Sequence, residues 1–404
     1  MRRLPDFELE VFFSRWEFAA QHVLTASDAQ SMSLGELLAL GTDEDRTAFE
    51  RIALGYVPTW GGDELRQAIA ATYADLRPED VLVFAGAQEG LFWMMQEAGP
   101  GDHVVLTVPG YPSVESLALA TGAEVTGLAL EPENGWVLDL DRLERALRPN
   151  TLLVAVNFPH NPSGAVPDPS TFRALVDLCE ARGIRLFCDE VHRGLELDPG
   201  RRLTQTADLS PMAVSLNVTS KSYGLPGLRV GWVASRDRAL LARLERRKHY
   251  TSISNSGPGE FLATLALKHG NAIQARNRAI IQRNLPLFDA LFARWTELFD
   301  WERPQGGCIC FPRYKGADGV EAFCRGLVEQ AGVLLAPASL FRSSLADTPT
   351  DRFRVGVGRS NPEPALEAMQ RFLERRGSEA GVSRIAAVTE AAGTSPGGSS
   401  PCPG

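Results

Sequence analysis

Between residues 50 and 295, short and nearly continuous apolar runs alternate with stretches whose apolar residues recur three or four positions apart. This alternation predicts a mostly parallel sheet covered by helices, since parallel strands buried on both faces read as unbroken apolar runs. Strands are predicted over Val81 to Phe84, His103 to Val108, Glu124 to Leu130, Thr151 to Phe158, Arg185 to Val191, Ala213 to Ser220 and Arg229 to Ser235, seven in all. Helices are predicted over Gly62 to Leu76, Tyr111 to Thr121, Leu140 to Leu147, Ser170 to Arg182 and Arg236 to Lys248, with Asp168 and Ser170 as candidate caps.

A long helical region from Glu260 to Phe299 follows, and then the pattern changes. GGCICFPRY reads as one strand with Cys308 and Cys310 on one face. A helix near Val320 to Gln330, the runs VLLAPA and FRVGVG, and a last helix from Pro362 to Arg375 complete a smaller α+β unit. The division expected is an arm over 1–45, a large domain over 46–295, a small domain over 296–376 and a tail over 377–404. The arm has no strand series and is expected to pack on the small domain or on a partner subunit. Half of the tail, 14 of 28 residues, is Gly, Ser or Pro, which predicts disorder.

The 404 residues are 44% hydrophobic with a formal net charge of −9, enough apolar material for a large core. The acidic balance argues against a nucleic-acid or anionic-membrane partner. No run of 18 apolar residues occurs, and acids and aromatics near the start take the place of a signal-peptide core. A cytoplasmic protein is expected. Six cysteines are too sparse for a disulfide framework, and one C-x-C pair without a second pair is a poor zinc signal, so no metal is expected.

Chemistry concentrates in Ser220-Lys221-Ser222-Tyr223-Gly224-Leu225-Pro226-Gly227-Leu228-Arg229. A lysine at the end of a buried strand and an arginine eight residues on place one amine and one fixed cation around a pocket. That combination suits pyridoxal phosphate, whose aldehyde takes the amine as a Schiff base and whose phosphate takes the guanidinium. Read as structure alone, Lys221 is an exposed loop lysine. Three further segments stand at strand ends: Gly86-Ala87-Gln88-Glu89-Gly90, Asn157-Phe158-Pro159-His160-Asn161-Pro162-Ser163-Gly164, and Asp189-Glu190-Val191-His192.

Together these segments resemble the class I/II aminotransferase family of fold-type I pyridoxal-phosphate enzymes, over about residues 45 to 375. The resemblance implies an α/β fold with a seven-stranded large domain and a smaller α+β domain. It implies that Ala87 and Gln88 hold the phosphate at a helix N-terminus and that Asn161 donates to the cofactor's 3′ oxygen. Asp189 would pair with the pyridinium nitrogen, and Tyr111 would stack on the ring. Tyr56 would reach the phosphate of the other subunit of a homodimer; otherwise it is a core tyrosine. In Arg352-Phe353-Arg354-Val355, the family's strand makes Arg354 the fork for the substrate α-carboxylate, with Arg352 and Arg359 in solvent.

Three positions depart from the family pattern. His192 stands where a tyrosine is usual; it would titrate near neutral pH beside the 3′ oxygen, or be a bland histidine. Val218 stands where many relatives have a phosphate-binding serine, so either Thr219 or Ser220 supplies the hydroxyl or the phosphate has one fewer hydroxyl donor. The arm reads Ala26-Ser27-Asp28-Ala29-Gln30-Ser31-Met32 in place of a G-x-P-D-like segment. The expected activity is transamination of an α-amino acid, with Lys221 as Schiff-base lysine and Cα base. The alternative is β- or γ-elimination, replacement or cyclisation, because the PHNPSG loop and SKSYGLPGLRVGW also resemble capreomycidine synthase, and aminocyclopropanecarboxylate synthase shares that chemistry.

Overall fold

The computed structural model describes residues 3–377, so the expected tail lies outside the described residues from 378 onward. Seven strands form the large sheet: β1 (Val81–Phe84), β2 (His103–Val108), β3 (Glu124–Ala129), β4 (Thr151–Asn157), β5 (Arg185–Asp189), β6 (Val214–Val218) and β7 (Gly231–Ala234). Their order is β1-β7-β6-β5-β4-β2-β3, with only β7 antiparallel to its neighbours. Successive side chains of β4 enter different cores. Val154 and Val156 pack with Phe172 and Leu175 on one face, while Leu153 and Ala155 pack with Leu91 and Leu240 on the other.

The chain leaves β2 for the edge strand β3 and then returns across β2 to β4. That reversal opens a crevice at the carboxyl ends of β2 and β4, the place where open α/β sheets bind ligands. Tyr111 follows β2 and Asn157 ends β4, so both stand at this crevice.

Most predicted elements differ from the observed ones only at their ends, and two differ in kind. The region expected to run helically from Glu260 to Phe299 is two helices, Gly257–Lys268 and Gly270–Ala293, followed by a short strand at Phe299–Asp300. GGCICFPRY is two strands, β8 (Ile309–Cys310) and Arg313–Tyr314, rather than one. Pro312 lies between them and has no N–H to continue a ladder.

β8 pairs antiparallel with β10 (Phe353–Gly356), and β10 pairs antiparallel with β9 (Ala336–Pro337). β8 and β10 pack under Phe288, Phe292, Phe323 and Met369 as a separate core, whereas Ala336 of β9 joins the core of Val154 and Phe172. The arm meets this unit, since His22–Val23 pairs parallel with Val333–Leu334. Gly356 N–H continues the contact by donating to Leu24 O at 2.7 Å. Helix α1 (Glu8–Trp16) turns instead toward the crevice, where Phe7 meets the Tyr111 ring edge-on at 5.4 Å.

Candidate active site

The ends of β4, β5 and β6 bring three of the predicted segments together. Asn157 Nδ2 donates to Asp189 O at 2.9 Å, and Asn157 Oδ1 accepts from Asn161 N at 2.7 Å. One amide thus ties the strand bearing Asp189 to the loop bearing Asn161. Lys221 lies past β6, and its Nζ donates to Ser27 Oγ at 2.9 Å. It is half-buried rather than a free loop lysine.

These residues line one cavity of about 820 Å³, together with Ala87, Gln88, Tyr111, His192, Ser220, Arg229 and Arg354. Nine of the ten residues predicted to contact the cofactor therefore converge. Tyr56 is the exception, being 92% exposed and absent from the cavity wall of its own subunit. The core-tyrosine reading is thereby overturned.

At the phosphate end, Gly86 precedes helix α2 (Ala87–Met95) with φ 94°. A Cβ there would stand 2.8 Å from Arg229 Nη2, so only glycine lets the guanidinium approach this helix start. Arg229 is itself held at φ 53°, the left-handed region, after the turn Pro226–Leu228. Ser220 faces the cavity. Thr219 does not: it is fully buried, with its hydroxyl on the Val230 and Leu225 carbonyls. Of the two hydroxyls expected to stand in at this end, Ser220 alone is available.

Asp189 is buried, and among the described residues its carboxylate accepts only from Val191 N, at 3.1 Å. Burial raises its pKa to about 6, opposed by that hydrogen bond and by Lys221. A carboxylate so placed calls for a cationic partner. His192 is 1% exposed, and its Nδ1 has no hydrogen-bond partner. Burial, with Lys221 and Arg354 nearby, lowers its pKa to about 3. The expected titration near neutral pH is corrected accordingly: His192 is a neutral imidazole. His160 is neutral too, pushed down to about 4 by burial, and it braces the site from behind. Its ring bridges Pro109 O at 2.8 Å and Ser163 Oγ at 2.7 Å, fixing the Tyr111 and Asn161 loops to each other.

These side chains fit pyridoxal phosphate. The helix start, Arg229 and Ser220 form a donor set for a phosphate, the buried Asp189 needs a cation such as a pyridinium, and Lys221 offers an amine between them.

At the other end, Arg354 is 1% exposed and stacks between Phe13, 5.6 Å away, and Phe341, 5.2 Å away. Its hydrogen bonds reach only neutral acceptors, Thr25 O at 3.2 Å and Asn161 Oδ1 at 3.3 Å, and burial lowers its pKa to about 10. A buried guanidinium with no ion pair among the described residues suits a carboxylate. Arg359 and Arg352, expected in solvent, are both half-buried. Arg359 lines the cavity and clamps Asp28 at 2.9 and 3.0 Å, whereas Arg352 covers Trp136 over a separate pocket.

The arm also walls the cavity: Ser27 and Asp28 lie in the segment singled out from the sequence, whereas the residues of α1 were missed. Glu10, Phe13 and Glu17 face the cavity from α1 and its end, and Ser27 and Asp28 follow. The i, i+3, i+7 spacing of Glu10, Phe13 and Glu17 was the available signal. Tyr111 hydroxyl donates to Glu10 Oε1 at 3.3 Å.

A family model, aminotransferase class I and II, matches residues 40–372. Capreomycidine synthase of Streptomyces vinaceus is 33% identical over 371 residues, covering 90% of this chain and 92% of that one. Among solved structures, a pyridoxal-phosphate-dependent aminotransferase from Streptococcus suis superposes with TM-score 0.84 at 28% identity, covering 92% of this chain and 98% of the other. The pyridoxal-phosphate-dependent cyclase OrfR gives the same TM-score and identity, covering 93% and 99%. The chain belongs to the class I and II aminotransferase family and is a fold-type I enzyme dependent on pyridoxal phosphate.

Proposed function

We propose that the enzyme removes the Cα proton of an α-amino acid with Lys221 as the base, and that transamination is the outcome. The observation carrying this reading is the opening of Lys221, Asp189, Asn161 and Arg354 into one cavity. When bound, pyridoxal phosphate supplies an aldehyde for the amine and a ring that accepts the charge left at Cα. Arg354 takes the α-carboxylate in a fork and so orients Cα toward the amine. Asp189 would pair with the ring nitrogen and favour its protonated form, while Asn161 and His192 would be placed for the 3′ oxygen. Arg229, Ser220, Ala87 and Gln88 hold the phosphate. Walls from α1 limit the water reaching the reacting carbon.

The second reading keeps the same proton removal but expels a β- or γ-group, ending in elimination, replacement or ring closure. It is supported by the likeness to capreomycidine synthase and to OrfR. A panel of amino acids with and without 2-oxo acids separates the two. A 2-oxo acid appearing with the amino form of the cofactor supports transamination; an amino acid altered beyond Cα with the aldehyde form retained supports the second reading.

Charge in the cavity further suggests a substrate with a cationic side chain. Arg354 is reserved for the α-carboxylate and Arg359 is paired with Asp28, which leaves Glu10 and Glu17 on the side-chain end. The Glu17 carboxylate makes no hydrogen bond or ion pair among the described residues, and burial, with Asp28 and Glu10 adding to it, raises its pKa. A cation between these carboxylates relieves that repulsion.

The active unit is proposed to be a homodimer in which Tyr56 reaches the partner's phosphate site. Leu54, Tyr56, Tyr250 and Ile253 are exposed in two segments, and a Cβ on Gly257, just past the second, would stand 3.4 Å from Val57. Apolar side chains so exposed suit an interface. The division at residues 45, 295 and 376 is retained as a proposal. Five buried free cysteines are compatible with the reducing cytoplasm.

A further inference from the structure

The hydrogen bond from Lys221 Nζ to Ser27 Oγ joins the reactive amine to the arm segment that departs from the family pattern. This segment is fastened on several sides. The Cys308 thiol donates to Ser27 O at 3.2 Å, Ala29 N–H donates to Lys221 O at 3.3 Å, and Gln30 N–H donates to Gly358 O at 2.8 Å. Arg359 clamps Asp28, and Thr25 O accepts from Arg354 Nε. Residues 25–28 therefore touch the amine and both cavity arginines of the substrate end.

We propose that Ser27 is a positioning residue for Lys221: its hydroxyl fixes where the amine stands whenever it is free of the cofactor. A lysine amine swings on four rotatable bonds, and a rigid acceptor removes much of that freedom before reaction. The anchoring of Ser27 from the small unit and from the lysine's own loop supplies the rigidity. The proposal rests on the reading of Lys221 as the base.

The test compares wild type, Ser27→Ala and Ser27→Thr. Apo-protein is mixed with pyridoxal phosphate, and capture by Lys221 is followed by mass after borohydride quenching, a readout that needs no turnover. Turnover is then measured with the best amino acid of the panel. Ser27→Ala is expected to capture cofactor and turn over about tenfold more slowly, with KM within about twofold, and Ser27→Thr to restore both to within about threefold. Wild-type capture and kcat in Ser27→Ala overturn the proposal. So does a lowered melting temperature that Ser27→Thr fails to correct, which assigns Ser27 to packing. If wild type itself captures no cofactor on Lys221, the reading of Lys221 fails first, and Ser27 with it.

Discussion

Arg354 Nη1 stands 3.3 Å from Asn161 Oδ1, joining a strand of the small unit to the loop after β4. With its carbonyl oxygen engaged by Arg354 and its backbone N–H by Asn157, Asn161 has no partner for its amide Nδ2 among the described residues. The proposed carboxylate site at Arg354 and the proposed donor for the cofactor's 3′ oxygen are thereby one connected unit.

Arg354→Lys should be costly even though it keeps the charge. A lysine amine cannot reproduce the fork, nor fill the space between Phe13 and Phe341 as a flat group. Steady-state kinetics should show about 2 kcal/mol or more lost in kcat/KM. Unchanged kinetics would move the carboxylate site to Arg359.

Asp189 gives the apo-protein a pH signature. Its folded pKa of about 6 lies above the ordinary carboxylate value, so the folded state holds the proton more tightly. Stability contributed by this group falls as pH rises from about 4 through 6, and the loss is complete above that. Asp189→Asn apo-protein should therefore be more stable than wild type at pH 8, by up to roughly 3 kcal/mol, with the difference vanishing near pH 4. Denaturant melts across that range check it. The same variant should hold pyridoxal phosphate poorly.

His192 shows the opposite sign. Its folded pKa of about 3 lies below the ordinary imidazole value, so the unfolded chain takes up the proton first as pH falls. Wild type should lose stability between about pH 6.5 and 3, and His192→Phe should lose less over that window. The cofactor's absorbance should show no step from His192 between pH 5 and 8; such a step, absent in His192→Phe, would contradict the buried, neutral imidazole.

Glu17→Gln tests the charge of the substrate side chain. For an amino acid with a cationic side chain, kcat/KM should fall about fivefold, a modest effect because Glu17 is partly solvated, while neutral amino acids change less than about twofold. Equal losses for both classes would remove Glu17 from side-chain recognition.

The sheet was legible because six of its strands, all but the edge strand β3, are buried nearly throughout and read as apolar runs. The cofactor end was legible because Lys221, Asp189 and Asn161 sit within short segments at strand ends. What stayed hidden depends on contacts between distant parts of the chain. Ser27 meets Lys221 across 194 residues, and Arg359 is drawn into the cavity by Asp28, 331 residues away. His192 carries the same side chain in water and in the wall, and its burial alone moves its titration out of the neutral range.

The central claim is that Lys221 carries the cofactor. Lys248 is the informative competitor, since it is fully buried and already satisfied by Thr59 O, Val83 O and Asn255 Oδ1. Borohydride reduction of the holoenzyme followed by peptide mass mapping should place the reduced cofactor on Lys221 alone. A label on Lys248 or Lys268, or no label on Lys221, would contradict the account.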